Sequence, residues 1–458
     1  MVVLLILSYG YFGPEWDLMA HYINARSFAN PAFYACLFNK GCVLATQNSA
    51  FYFEYFRAPL SSTFLLIFEL VANKLAIPLY IGFVFMLFII SVYILAKEMK
   101  LDMLISISVF VAPFMILFTL LSNSTEMLSL SFALLGTALL TRKSPWSGLF
   151  FGLASLSKYV MLISLPMVLL LYKPKKIAIA IALFILPIIP WLIFNQLVFG
   201  NYLFSYLESL HIVSSSIFTH GINLGSLLFV CANSIIFGTV AIIYILKKRI
   251  KISGFSKKFH GYIKDQNAKI SVVFLLLSIV SYVFIAYNRD TFTQIRFGYL
   301  LHGALALFMV LLLSNISRVK KYTTMPFFIG IASIIIILAN IFTIASIYNY
   351  GPSLSIWNPV FGNAVKELSI LGYGNCNVVS NDWIYLLYLN AHAFSPFYVD
   401  KIENEYPIVV FYNSTAATSP SSIADLNTSK VIFNNKNFSI LLPRNYTCIN
   451  TTHSAAAK

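Results

Sequence analysis

The stretch "IPLYIGFVFMLFIISVYILA", residues 77–96, holds no charged side chain and stops at Lys97 and Lys100. A helix rises about 1.5 Å per residue, so about 20 such residues span bilayer hydrocarbon while pairing every backbone polar group internally. Comparable apolar runs recur at 2–12, 104–121, 128–140, 177–194, 224–246, 270–287, 298–313 and 327–347. Composition agrees, with 59% hydrophobic and only 10% charged residues, against roughly 25% charged in soluble domains. The chain is expected to be an α-helical polytopic membrane protein with about 11 transmembrane segments. The run 2–12 is short for a span, so further residues are expected upstream of Met1.

Cations orient these runs. The formal charge is +15, but Lys and Arg gather in clusters at run ends, as cytoplasmic loops do under the positive-inside rule, and no nucleic-acid partner is implied. Lys97 and Lys100, Arg142 and Lys143, the segment "KKRIKISGFSKKFHGYIKDQNAK", and Arg318, Lys320 and Lys321 mark the inner side. The loops 13–76 and 195–223 then lie outside, and "SSTFLLIFELVANKL" is placed on the membrane surface. The run "WSGLFFGLASLSKYVMLISLPMVLLLYKPKK" is bounded inside at both ends, which two short half-helices turning near residues 155–158 satisfy. Lys158 would sit in or beyond the outer half of the bilayer, where a lysine costs on the order of 3 kcal/mol unless partnered, solvated or snorkelling to headgroups.

Residues 1–347 thus form the transmembrane module, and 348–458 an extracytoplasmic α/β domain. That tail carries Asn-x-Ser/Thr sequons at Asn413, Asn427, Asn437, Asn445 and Asn450, as an exported surface would. Asn315 begins another sequon on the side assigned as inner. In the tail "NVVSN" and "YPIVVFYN" read as strands, "DWIYLLYLNAH" as a helix, and "KVIFNNKNFSILLP" as one or two further strands. If both polar regions face outward, Cys36 can pair with Cys42 and Cys376 with Cys448, leaving Cys231 alone; free thiols are the alternative.

This topology collects ionisable groups on one face. Glu15, Asp17 and His21 follow the first run, Glu54 and Arg57 lie in "YFEYFRAPL", and Glu126 opens the run at 128–140. Lys158 tops the hairpin, Glu208 and His211 occupy the second outer loop, and Arg289, Asp290 and Arg296 join the runs at 270–287 and 298–313. Each has a plainer explanation, since carboxylates beside helix ends commonly cap N-termini or are simply solvated. Their arrival together from distant parts of the chain favours a site.

In order along the chain, "PEWDLMAHYINARSF", "YFEYFRAPLSSTFL", "NSTEMLSLSFALLG", "GLFFGLASLSKY", "FSYLESLHI" and "TQIRFGYLLHGALALF" together resemble the C-type (GT-C) glycosyltransferase superfamily. The resemblance is closer to its protein O-mannosyltransferase and aminoarabinose-transferase-like branch, in an archaeal form, and runs to about residue 313. It implies a membrane enzyme moving a hexose such as mannose from a polyprenyl- or dolichyl-phosphate donor to a protein, glycan or lipid acceptor on the outer face. Asp17 occupies the position of the family's catalytic acid, and Glu15 is its substitute, because Glu-Trp-Asp departs from the adjacent acidic pair of many members. Arg57, in "RAPL", falls where the branch places a base that contacts lipid phosphate, with Lys158 and Arg296 as further phosphate-binding candidates. Glu126 matches the second acidic position, and His21, Glu54, Glu208 and His211 remain as substrate-orienting candidates.

Sugar transfer through an oxocarbenium-like centre needs a carboxylate to activate the acceptor hydroxyl and cations to hold the departing phosphate. No cofactor is expected. Asp17, Glu126 and Glu208 offer oxygen ligands for a divalent metal, but the Trp-Trp-Asp signature of the oligosaccharyltransferase cousins is absent and "SNDWIYLLY" does not replace it. The alternative from another class is a transporter or lipid flippase. The sequence shows no inverted repeat, and its ionisable groups gather at one face instead of the midplane.

Overall fold

Apolar runs that must pair their own backbone fold as helices, and these dominate the structure. The computed structural model describes residues 16–29, 56–111, 124–171, 173–215, 221–247, 266–287, 291–317, 324–347, 359–380, 383–389, 392–394, 408–412 and 430–443. In chain order the helices are α1 Trp16–Ala29, α2 Pro59–Ala72, α3 Ala76–Glu98, α4 Met103–Val111, α5 Ser124–Thr141, α6 Ser147–Ser157, α7 Pro174–Ile185, α8 Ile189–Phe199 and α9 Phe204–Ser215. They continue with α10 Leu224–Lys247, α11 Gln266–Ala286, α12 Thr291–Phe297, α13 Tyr299–Ser317, α14 Met325–Ile347 and α15 Pro359–Ile370. Among the described residues two helical stretches, Ala76–Glu98 and Gln266–Ile285, are long and apolar enough to cross a membrane singly. This is a membrane protein. The expected run at 2–12, Cys36, Cys42 and Cys448, and all the tail sequons except Asn437 lie outside the described residues.

The chain divides into two compact units, the first of residues 1–55, 62–78 and 346–458, the second of 56–61 and 79–345. The second unit is built around α5, buried along nearly its whole length and packed most closely on α6. Ser129 Oγ donates across that interface to the Ala154 carbonyl at 3.1 Å, a bond suited to lipid, where small residues let helices approach. Glycines bring α6 onto α7. A Cβ at Gly148 would stand 1.9 Å from the Ala180 carbonyl oxygen, and one at Gly152 2.3 Å from that of Phe184.

Where two half-helices turning near residues 155–158 are expected, α6 ends at Ser157, Lys158 is extended (φ −152°, ψ 121°), and a 3₁₀ segment runs Tyr159–Leu171. The span expected at 177–194 is bent in the structure. α7 and α8 meet at 45°, because Pro187 removes a backbone donor at the junction and Pro190 suits the first turn of α8. The expected span at 224–246 is bent as well, Leu224–Ala232 meeting Ser234–Tyr244 at 54°.

Within the first unit α1 packs on α16, Trp383–Tyr388, with the Tyr22 and Tyr388 rings 5.8 Å apart. Five strands, β1 Asn377–Ser380, β2 His392–Phe394, β3 Ile408–Tyr412, β4 Lys430–Asn434 and β5 Phe438–Leu442, form a mixed sheet in the order β2-β1-β3-β5-β4. β1 pairs in parallel with β2 and β3, while β5 pairs antiparallel with β3 and β4. The segment expected as one or two strands is a hairpin, turned by Asn435 Oδ1 accepting from the Asn437 and Phe438 N–H groups at 2.8 and 2.9 Å. Cys376 is buried and disulfide-bonded.

Candidate functional site

The second unit buries one carboxylate among cations. Glu126, in the first turn of α5, is 0% exposed. Its Oε1 receives Lys158 Nζ at 2.9 Å and Arg296 Nε at 3.5 Å, and its Oε2 accepts from Thr125 Oγ1 at 2.9 Å. Burying a charge costs several kcal/mol (on the order of 3 or more) unless partners compensate it, and here two cations do. Lys158 and Arg296 side chains each keep 16% exposure. The Tyr80 and Tyr299 phenols lie within electrostatic range of the same carboxylate.

Local structure explains how each group arrives. Glu126 sits at a helix N-terminus, where the backbone dipole favours a negative charge. Lys158 occupies the single extended residue between α6 and the 3₁₀ segment. Arg296 lies in the last turn of α12, which Gln294 ties to the start of α10: its Nε2 donates to the Gly221 carbonyl at 2.9 Å and its Oε1 accepts from the Asn223 N–H at 2.8 Å. Asn223 in turn caps α10, accepting from the Gly225 and Ser226 N–H groups at 2.7 and 3.2 Å.

Arg57 precedes α2 in the same unit, its guanidinium 5.4 Å from the Phe56 ring centroid. Its carbonyl accepts from Tyr159 Oη at 3.1 Å, and Tyr159 Oη accepts from Trp191 Nε1 at 2.7 Å. Tyr159 and Trp191 escaped the sequence reading, although Tyr159 directly follows Lys158 in "SKY". Glu208 and His211 lie on α9, half-buried and exposed.

In the first unit Asp17 opens α1 and is 8% exposed. His21, one turn later, is buried with Nδ1 3.0 Å from Ser62 Oγ. Tyr22 donates to Glu69 Oε2 at 2.6 Å, and burial, reinforced by that carboxylate, raises its phenol above the ordinary tyrosine range. Glu15, Glu54, Arg289 and Asp290 lie outside the described residues. Among the described residues no three His, Cys, Asp or Glu side chains gather as a metal site.

No protein-family model matches the chain, and no curated protein matches it. Solved structures do. ArnT from Cupriavidus metallidurans, in a crystal structure bound to undecaprenyl phosphate, superposes with a TM-score of 0.57 at 11% identity, covering 98% of this chain and 97% of that one. Its apo state gives 0.55 at 11% identity over 96% of both chains. This chain has the ArnT fold. Identity of 11% over nearly the full length of both means the likeness resides in helix order and packing more than in side chains. Glu126, Lys158 and Arg296 come from three separate elements of that ArnT-like fold.

Proposed function

We propose that the chain is an integral membrane glycosyltransferase moving a sugar, a hexose such as mannose, from a polyprenyl- or dolichyl-phosphate donor to a protein, glycan or lipid acceptor on the outer membrane face. The observation that carries this reading is a buried carboxylate holding two cations inside the ArnT fold, whose namesake was crystallised with undecaprenyl phosphate.

In the reaction the acceptor oxygen bonds to the sugar's anomeric carbon as the bond from that carbon to the phosphate oxygen breaks. The acceptor proton passes to a carboxylate, and polyprenyl phosphate departs with the electron pair. Asp17 is assigned as that base, with Glu15 as its substitute. Arg57 meets the phosphate through its planar fork. Glu126 holds Lys158 and Arg296 in place, and their positive charge stabilises the phosphate as its own negative charge grows. Such preorganisation costs no rearrangement during the reaction. His21, Glu54, Glu208 and His211 are assigned to orienting substrates, and residues 348–458 to an extracytoplasmic domain.

The test is transfer of radiolabelled sugar from a polyprenyl-phosphate donor in membranes carrying wild type or Asp17→Asn. Loss of a positioned base is expected to lower transfer by about 100-fold or more. Unchanged transfer would remove Asp17 from the assignment. Absence of transfer by wild type across several donors, with lipid movement between leaflets instead, would replace the enzyme by a flippase.

A further inference from the structure

Trp191 N–H can only donate, so Tyr159 Oη accepts it and directs its own single hydrogen to the Arg57 carbonyl. The relay therefore runs in one direction. Both of its rings are held from the side: Trp191 is buried and stacks on Phe194 at 4.8 Å and 7°, while Tyr159 lies 4.2 Å from the Tyr206 ring. At the far end Ala58 is buried and Pro59 begins α2, so the backbone beyond Arg57 has little freedom. Tyr159 also follows Lys158 directly, which brings the Arg57 backbone to the residue next to the cation paired with Glu126.

We infer that Tyr159 is a positioning residue, whose hydroxyl fixes the Arg57 backbone in register with Lys158 so that both cations meet one lipid phosphate. The inference rests on the glycosyltransferase reading. Phenylalanine at 159 would keep the ring contacts but remove the hydroxyl that links Trp191 Nε1 to the Arg57 carbonyl. Arg57 would then lose its fixed register without losing its charge.

The experiment compares binding of undecaprenyl phosphate and of undecaprenol, its neutral alcohol, to purified protein in detergent for wild type, Arg57→Gln, Tyr159→Phe and Trp191→Phe. The ratio of the two affinities isolates the phosphate from the tail. Wild type is expected to prefer the phosphate, Arg57→Gln to lose most of that preference, and Tyr159→Phe to lose it by about tenfold with undecaprenol binding unchanged. Trp191→Phe, which leaves the Tyr159–Arg57 bond available, is expected to fall between wild type and Tyr159→Phe, and reports on the relay if Tyr159→Phe fails to fold. If Arg57→Gln loses the preference while both aromatic variants keep it, or weaken both lipids equally, the inference about Tyr159 is overturned and the functional reading stands. If wild type shows no preference for the phosphate, the functional reading falls and takes the inference with it.

Discussion

At the residue scale the decisive contact is Glu126 with Lys158 and Arg296. Removing one partner of a buried ionic cluster strands the others, at a cost of about 3 kcal/mol. Glu126→Gln is therefore expected to lower the unfolding midpoint in detergent, and Lys158→Met to destabilise less, because Arg296 still partners the carboxylate. Equal melting of wild type and Glu126→Gln would contradict the structural role. The Tyr22–Glu69 bond makes a second prediction. The Tyr22 phenol is raised in the folded state, so its stabilisation is complete below the unfolded tyrosine value of 10.0 and is lost as pH rises above it. Tyr22→Phe is expected to flatten the fall in stability above that pH, measured by denaturant titration. None of these pairings was legible in sequence. Glu126, Lys158 and Arg296 could each be singled out as costly charges near the membrane, but which of them touch depends on two helices and an extended residue meeting.

At the element scale, hydropathy located the helices well. The runs expected at 77–96 and 270–287 match Ala76–Glu98 and Gln266–Ala286, because charge-free stretches of that length have one economical backbone arrangement in lipid. Cations at both ends of the segment 146–176 pointed to a break near residues 155–158, and α6 does end at Ser157 with Lys158 extended. The bend between α7 and α8 was missed, although "LPIIPW" contains the prolines that cause it. "GLFFG" was likewise a readable contact motif, its glycines four residues apart on one helix face. Gly148→Ala is expected to destabilise by about 2 kcal/mol, since the new methyl meets backbone of α7 that cannot swing aside. Gly82→Ala, where nothing lies within 4 Å, is expected to be neutral or to stabilise by up to about 1 kcal/mol through helix propensity. Thermal unfolding of the two variants side by side checks the contrast.

At the scale of the whole molecule, large apolar side chains stay exposed along α3, α8, α10, α11 and α14, among them Met86, Leu197, Ile243, Phe284 and Ile335. Water would make such a surface aggregate, whereas lipid covers it. The chain is expected to remain with membranes after an alkaline carbonate wash, and its appearance in the soluble fraction would contradict that expectation. Glu126 shows where sequence stops. Residue order alone determined that this chain places its backbone in helices, which of those are apolar, and roughly where charges interrupt them, because the bilayer penalises unpaired backbone groups and charges one residue at a time. The tertiary structure decided that α1 shares a unit with the sheet, that Glu126 closes on two cations, and that Tyr159 reaches the Arg57 carbonyl. Those outcomes depend on packing between residues far apart in the chain, and no local pattern of polarity specifies them.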